Sequence, residues 1–114
     1  MALLVTTDDP NGLWEKLKTA ISEKQIETWR LHKDGKHLTH TSEQWSMRAW
    51  FRPARQKNRL VFNIIHSKGR KVTNEVYAEY HGLLLRMLLF HFEEDFTVAS
   101  ATALPTDDDV ITSK

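Results

Sequence analysis

The chain contains no cysteine, which excludes disulfide bonds, thiolate nucleophiles and Cys-ligated zinc sites. Glycine occurs four times and proline three times in 114 residues, so little material is present for a Gly-rich phosphate-binding loop. The longest apolar run, over residues 83–92, is interrupted by Arg86 and His91. It is about half of the roughly 20 residues that a membrane-spanning helix needs. We therefore expect a protein without thiol chemistry and without a membrane span.

The N-terminal segment lacks the basic region and the long apolar core of a secretory signal peptide. Together with the absence of cysteine, this predicts a cytoplasmic protein. The chain is 40% hydrophobic and 27% charged, which is typical of globular proteins, and its length fits one domain. We predict a single α+β domain over residues 1–104 and a flexible acidic C-terminal tail over residues 105–114.

Charge is distributed unevenly along the chain. The formal net charge is only +1, yet residues 30–71 contain eleven basic and two acidic side chains, a surplus of +9. Residues 1–29 carry −2 and residues 72–114 carry −6. Such asymmetry indicates a surface for an anionic partner. The same counts are compatible with basic and acidic parts of the protein lying against each other.

Hydrophobic spacing predicts two helices. Asp9 precedes a proline, as at a capped helix start, and Leu13 and Leu17 recur at helical spacing. The first helix is therefore predicted over residues 10–23. The second is predicted over residues 73–94, where the polar stripe is narrow and most other positions are apolar.

A tight hairpin is predicted after the first helix. Asp34 and Gly35 are a two-residue turn signal of the kind that joins antiparallel strands. Residues 25–32 alternate before this turn, and counting back from it pairs Leu31 with Leu38. Both leucines then lie on the apolar face, so the turn and the hydrophobic pattern predict the same register.

Two longer strands complete a predicted meander. Residues 45–52 alternate clearly between apolar and polar side chains. Residues 59–67 form the next predicted strand, with Leu60, Phe62 and Ile64 on one face, and residues 53–58 are predicted to form the loop between the two strands. Pairing Phe51 with Leu60 keeps both faces of this strand pair self-consistent.

A last strand is predicted over residues 96–104, with Phe96 and Val98 facing inward. Residues 2–6 either add a short strand or stay extended. The predicted fold is α+β, with a four-stranded antiparallel meander plus a C-terminal strand. A short N-terminal helix and a long second helix are expected to pack on one face of this sheet.

The face of the predicted sheet away from the helices is the main candidate for a binding site. Arginines surround Trp50 on this face, and the loop over residues 53–58 adds further cations. Guanidinium groups attract phosphates, and an indole ring offers a stacking surface for a base. We predict a site for nucleic acid, single-stranded for preference, or for another polyanion, formed by Arg30, Arg48, Trp50, Arg52, Arg55, Lys57 and Arg59.

Two other interpretations of this face stay open. The same residues are suited to a protein–protein interaction module, either a homodimeric adaptor or a binder of an acidic partner. The pattern is also compatible with an ordinary solvated sheet face, in which Trp50 packs against Val61 or an arginine stem.

Neither a metal site nor a catalytic constellation is predicted. The hairpin places His32 opposite His37, but a metal site needs a third ligand, and no acidic residue is expected on that face. Acidic residues cluster at 93–95 and 107–109, in neither place as a buried carboxylate pair. No motif of a hydrolase, a metalloprotease or a phosphate-binding loop occurs. We expect a non-enzymatic protein without a cofactor.

The second helix is apolar over more of its circumference than one side of a sheet covers. Leu85, Leu89 and Phe92 are therefore candidates for a homodimer surface, which a symmetric dimer uses twice. Burial by the first helix and the last strand is the alternative. The leading hypothesis is a small binding protein that acts through its basic sheet face and not at a membrane.

Overall fold

The computed structural model describes residues 2–112, which form two helices and a six-stranded antiparallel sheet. The elements are β1 (Ala2–Thr6), α1 (Pro10–Ser22), β2 (Trp29–Leu31), β3 (Leu38–His40), β4 (Ala49–Gln56), β5 (Arg59–His66), α2 (Asn74–His91) and β6 (Val98–Ala101). The strand order is β2-β3-β4-β5-β1-β6. The α+β class and the antiparallel run from β2 to β5 are confirmed, but the sheet has one strand more than predicted.

The additional strand is β1, which lies inside the sheet and pairs with both β5 and β6. Ala2, Leu3 and Val5 are buried. A strand that is apolar on both faces appears in a sequence as a short continuous run and not as an alternation. For this reason the pattern left open whether residues 2–6 would form a strand.

α1 begins after Asp9, as its capping signal predicts, and α2 begins one residue later than predicted, after a cap at Thr73. The Asp9 side chain accepts a hydrogen bond from the backbone N–H of Gly12 at 2.9 Å, and the Thr73 side chain accepts one from Val76 at 3.2 Å. These bonds satisfy donors that have no partner within the first helical turn. The helices end one residue (α1) and three residues (α2) earlier than predicted.

The two helices pack on the same face of the sheet, which we call the helix side, while the opposite face is the outer face. Trp14 of α1 meets Phe62 with 6.5 Å between ring centroids, and Tyr80 of α2 meets Phe51 at 6.0 Å. All four side chains are buried. Aromatic pairs at these separations add to the stabilisation that burial provides.

The β2–β3 hairpin has the predicted register. Leu31 pairs with Leu38, and Gly35 has φ +69°. Only glycine adopts this left-handed conformation at little cost, so the turn residue and the pairing support each other.

β2 is shorter than the predicted strand over residues 25–32. The backbone N–H groups of Gln25 and Ile26 donate to the carbonyl of Ala20 at 2.9 and 3.2 Å. Because these amides close the end of α1, they are not available to a strand ladder.

β4 begins later than the predicted strand over residues 45–52. Residues 42–47 form a turn instead, in which Met47 has φ +60°. The hydroxyl of Tyr80 on α2 donates to the carbonyl of Trp45 and holds this turn off the sheet. The alternation in the sequence therefore continues through residues that a tertiary contact keeps out of the strand.

β4 also continues further, so that a two-residue turn replaces most of the loop predicted over residues 53–58. Phe51 pairs with Ile64 and not, as predicted, with Leu60. Because the register differs by an even number of residues, the side chains that were correctly placed in strands keep their predicted faces.

β6 is shorter than the predicted strand over residues 96–104, and it forms an edge of the sheet beside β1. Val98 is 59% exposed, so the prediction that it faces inward is wrong. Phe96, which precedes the strand, is half-buried against the core.

The C-terminal segment, residues 105–112, returns to the sheet beside β5. The carbonyl of Val110 accepts from the N–H of His66 at 2.7 Å, and the N–H of Val110 donates to Ile64 at 2.9 Å. The flexibility predicted for residues 105–114 stays a prediction, and these bonds argue against it for the part that the structure describes.

Candidate functional site

The seven residues predicted to bind an anionic partner, which we call the basic surface, lie on and around β4. Five are on the outer face or lead into it: Arg30, Arg48, Trp50, Arg52 and Arg59. Lys57 lies in the turn between β4 and β5. Arg55 was predicted in a loop, but β4 continues through it and pairs it with Leu60. Strand alternation therefore places Arg55 on the helix side.

Trp50 is half-buried on the outer face. It pairs with Ile65 of β5, and its ring stands edge-on to His32 with 5.3 Å between centroids. Together with Asp34 and His37 these residues line a shallow hollow of about 240 Å³. The hollow is apolar on the sheet and polar at the hairpin turn, which suits a flat ring with hydrogen-bonding edges.

Asp34 joins the two histidines of the hairpin. His37 Nδ1 donates to Asp34 Oδ2 at 2.8 Å, and His32 Nδ1 lies 3.3 Å from Oδ1. A hydrogen bond from the Lys36 backbone N–H is the main cause that lowers the pKa of Asp34, and His37 contributes less. The expectation that no acidic residue lies near these histidines is wrong, because the turn folds Asp34 back towards them.

A metal site is not indicated by this cluster. Across the part of the chain that the structure describes, no three side chains of metal-ligating type are arranged to hold a metal ion. The contact with Asp34 already occupies His37 Nδ1, and a further ligand would have to come from outside the hairpin.

The cations of the basic surface are not neutralised by carboxylates. In residues 2–112, no lysine or arginine of the +9 segment, residues 30–71, forms an ion pair with a carboxylate. The ion pairs present there are Lys16–Asp95, Lys18–Glu15, His32–Asp34 and His37–Asp34. The basic segment and the acidic flanks therefore do not cancel through direct contacts.

Three arginines of the basic surface bind uncharged acceptors instead. These bonds are Arg30 to Met47 Sδ at 2.8 Å, Arg52 to the Asp108 carbonyl at 3.0 Å and Arg59 to Gln56 Oε1 at 2.6 Å. Each bond orients a guanidinium group and leaves its charge without a counterion.

A second hollow lies at the edge of β4, where the short strand β3 leaves it without a neighbour. Its volume is about 310 Å³, and Arg52, Arg55 and Lys36 line it together with Trp14 and Pro53. Proline suits this edge because it has no N–H to pair. The edge brings Arg52 and Arg55 together although they lie on opposite faces. His37 lines both hollows, which are therefore adjacent.

The outer face is closed on the β5 side by the C-terminal segment. Asn63 Nδ2 donates to Asp109 Oδ1 and to Thr106 Oγ1, both at 3.0 Å, and the Ile64 N–H donates to Asp109 Oδ1 at 3.0 Å. Burial opposes the ionisation of Asp109, but hydrogen bonds from Thr106, Asn63 and Ile64 outweigh it and lower its pKa. The accessible part of the outer face thus extends from β2 to β4 and includes Arg59 and Ile65 at the two ends of β5.

The predicted dimer residues do not form one accessible patch. Leu85 is half-buried and Leu89 is 52% exposed, whereas Phe92 is 6% exposed and belongs to the core. Phe90, which was not singled out, is 71% exposed. Phe90 lies four residues after Arg86, on the polar stripe of α2, and this spacing in the sequence indicated that its side chain would be exposed.

Comparison with models of protein families, with curated proteins and with solved structures finds no match for this chain. Within residues 2–112, no helix has both the length and the apolar character needed to cross a membrane.

Proposed function

We propose that the protein is a non-enzymatic cytoplasmic binding protein whose basic surface holds a polyanion, with single-stranded nucleic acid as the favoured ligand. The observation that carries this proposal is the setting of Trp50. Its half-buried indole lies on the accessible half of the outer face, two residues before Arg52 on β4 and two residues after Arg48, which precedes the strand. Neither arginine is paired with a carboxylate in residues 2–112.

Strand geometry supports the combination of base stacking on Trp50 with phosphate binding by arginine side chains. Residues two apart on a strand share a face and are about 7 Å apart. Arg52 therefore lies beside Trp50 on the same face, and the exposed Arg48 lies just before β4 begins. A base stacked on Trp50 would have its neighbouring phosphates close to these guanidinium groups. Stacking on an aromatic side chain contributes about 1–3 kcal/mol per base and tolerates any base.

The two hollows favour a single strand over a duplex. One hollow lies on the outer face at Trp50 and the other at the β4 edge with Arg55, and they meet at His37. A flexible single strand can follow this bent path. Duplex DNA is stiff over about 150 base pairs, and bending it sharply costs energy.

An acidic protein partner is the second candidate, and one observation favours it. Arg52 Nη2 donates to the backbone carbonyl of Asp108 at 3.0 Å, so an acidic peptide segment already contacts one residue of the basic surface. In this alternative a partner's acidic segment would extend the same contact over Arg48 and Arg30.

Titration of labelled single-stranded and double-stranded oligonucleotides at two salt concentrations tests the proposal, with polyglutamate as the peptide polyanion. We expect the single strand to bind most tightly and its affinity to fall steeply with salt, because phosphate contacts release counterions. Absence of binding at low salt would overturn the proposal, and tighter binding of polyglutamate would support the acidic partner.

Two variants locate the site. Trp50→Ala is expected to weaken single-strand binding by about 1–3 kcal/mol, and Arg48→Ala to reduce the salt slope by about one unit. Trp45→Ala and Arg86→Ala are matched controls, because Trp45 lies in the turn before β4 and Arg86 on α2. Equal effects of variants and controls would show that another surface binds.

A further inference from the structure

A groove on the helix side lies between the C-terminal half of α2 and the connection from α1 to β2. Its volume is about 420 Å³, within the range of about 300–1,000 Å³ that is common for small-molecule sites. Apolar side chains line part of it, namely Ile26, Leu83, Met87 and Phe90. None of the residues of the basic surface lines this groove, so the two sites are separate.

His40 contributes a buried polar group to the lining. The side chain is more than nine-tenths buried, at 6% exposure, and packs edge-on against Trp29 with 5.0 Å between centroids. The backbone N–H of Ser42 donates to His40 Nδ1 at 3.2 Å. Because a backbone N–H can only donate, Nδ1 carries no proton, and Nε2 of the neutral ring does.

The Nε2–H group of His40 has no hydrogen-bond partner among residues 2–112, since both hydrogen bonds of this imidazole use Nδ1. Burial lowers the pKa of His40 and thereby favours the neutral ring. Among the described residues, His40 Nε2 does not belong to the fully buried polar atoms that lack a partner, so it reaches the open space of the groove. A donor in this position is available to an acceptor bound in the groove.

The mouth of the groove is cationic and aromatic. Arg86 places its guanidinium carbon 5.9 Å from the centre of the Phe90 ring, and that ring is 71% exposed. Lys24 also lines the groove, and Glu27 supplies its only carboxylate within the described residues. An arginine held over an accessible aromatic ring by a cation–π contact can bind a carboxylate with two parallel hydrogen bonds.

We propose that this groove binds a small molecule in which a carboxylate is attached to an aromatic or other apolar body. The body lies along Leu83, Met87 and Phe90. An oxygen of the ligand accepts from His40 Nε2, and the negative charge is balanced by Arg86 and Lys24.

Naphthoate and its uncharged amide, naphthamide, are suitable probes because they share one ring system and differ in charge. Each is titrated into the full chain while NMR records the His40 ring and the Met87 methyl group. We expect naphthoate to shift both signals and to bind about tenfold more tightly than naphthamide, because the charge-assisted hydrogen bonds to Arg86 exist only for the anion.

Arg86→Met removes the cation and keeps an apolar stem, and it lies on the exposed stripe of α2. This variant is expected to reduce naphthoate affinity about tenfold and to leave naphthamide unchanged, whereas Arg59→Met on the outer face changes neither. His40→Phe, which keeps the ring beside Trp29, should weaken both probes, and His40→Gln, whose amide can donate, should weaken them less.

Equal affinities of the two probes, or signals that move on the outer face but not in the groove, would overturn the proposal. A concentration-dependent dimer that buries Phe90 and excludes naphthoate would also overturn it and assign the groove to a second copy of the chain. Arg48→Ala, which tests the basic surface, should leave naphthoate binding unchanged, so the two proposals fail separately.

Discussion

On the outer face, β4 and β5 both carry apolar and polar side chains in turn. The β4 half of this face is nevertheless accessible, whereas the β5 half is closed by the C-terminal segment. On β4, Trp50 is half-buried and Arg52 is exposed. On β5, Asn63 is 3% exposed because Thr106 and Asp109 cover it. Strand alternation thus determines on which face a side chain lies. Whether that face is accessible depends on the C-terminal segment, in which Thr106 lies 43 residues after Asn63.

The closed half is completed by the C-terminal segment. Within residues 2–112, β1 pairs with β5 from Arg59 to Asn63, and the C-terminal segment contacts β5 from Asn63 onwards. The Asp109 carboxylate and the backbone of Val110 form hydrogen bonds with Ile64 and His66. In the described part of the chain, no segment covers the open half in this way, and its lysines and arginines form no ion pair with a carboxylate.

Loss of the Asp109 carboxylate should have the largest effect on the difference between the open and the closed half of the outer face. Asp109→Ala leaves Asn63 Nδ2 with one acceptor fewer and the Ile64 N–H without its acceptor, and we expect a loss of about 2–3 kcal/mol in the free energy of unfolding. Asp108→Ala is the control, because Asp108 contributes only a backbone carbonyl. Urea denaturation measures both, and equal losses would contradict the role assigned to Asp109.

Acid should lower the stability that the Asp109 carboxylate gives to the closed half, because protonation removes the same charge that the Asp109→Ala substitution removes. The pKa of Asp109 is lowered in the folded protein, so the unfolded chain takes up a proton at a higher pH than the folded one. The stability that this group contributes is complete above its ordinary pKa of about 3.9 and is lost as pH falls through the lower folded value. The difference in unfolding free energy between the natural protein and Asp109→Asn should therefore shrink below about pH 4. A constant difference down to pH 2 would contradict this.

Gly35→Ala tests the turn that supports the open half. An added Cβ meets no heavy atom within 4 Å, but φ is +69°, so the cost is that of the backbone alone, about 1 kcal/mol. Gly82→Ala in α2 also meets nothing within 4 Å, and there alanine should stabilise by up to about 1 kcal/mol. Thermal unfolding compares the two, and changes of the same sign would contradict this account of the turn.

Arg52→Met should have the smallest effect on stability, within about 0.5 kcal/mol, because the side chain is exposed and binds one carbonyl. It should nevertheless reduce the salt slope of oligonucleotide binding by about one unit. A larger loss of stability with an unchanged slope would show that Arg52 serves the closed half and not the basic surface.

Much of the candidate site could be predicted because a strand has a period of two. Trp50 and Arg52 keep their face although the register of β4 and β5 differs from the predicted one, since the shift is even. Arg48 lies before β4, which starts at Ala49. Arg55 could not be placed, because the length of β4 depends on the neighbouring strand and not on local pattern. The approach of Asp34 to His32 and His37 follows from turn geometry that composition does not show.

The sequence by itself determined the local elements of this protein. The cap at Asp9, the helical spacing of apolar residues and the Asp34–Gly35 turn act between residues that are close along the chain, so each predicts structure before any packing is known. Tertiary structure alone decided the place of β1 between two strands, the late start of β4, the covering of Asn63 by Asp109 and the meeting of His40 with Arg86 in one groove. Each of these depends on which distant residues occupy the same space, and a one-dimensional pattern contains no measure of that.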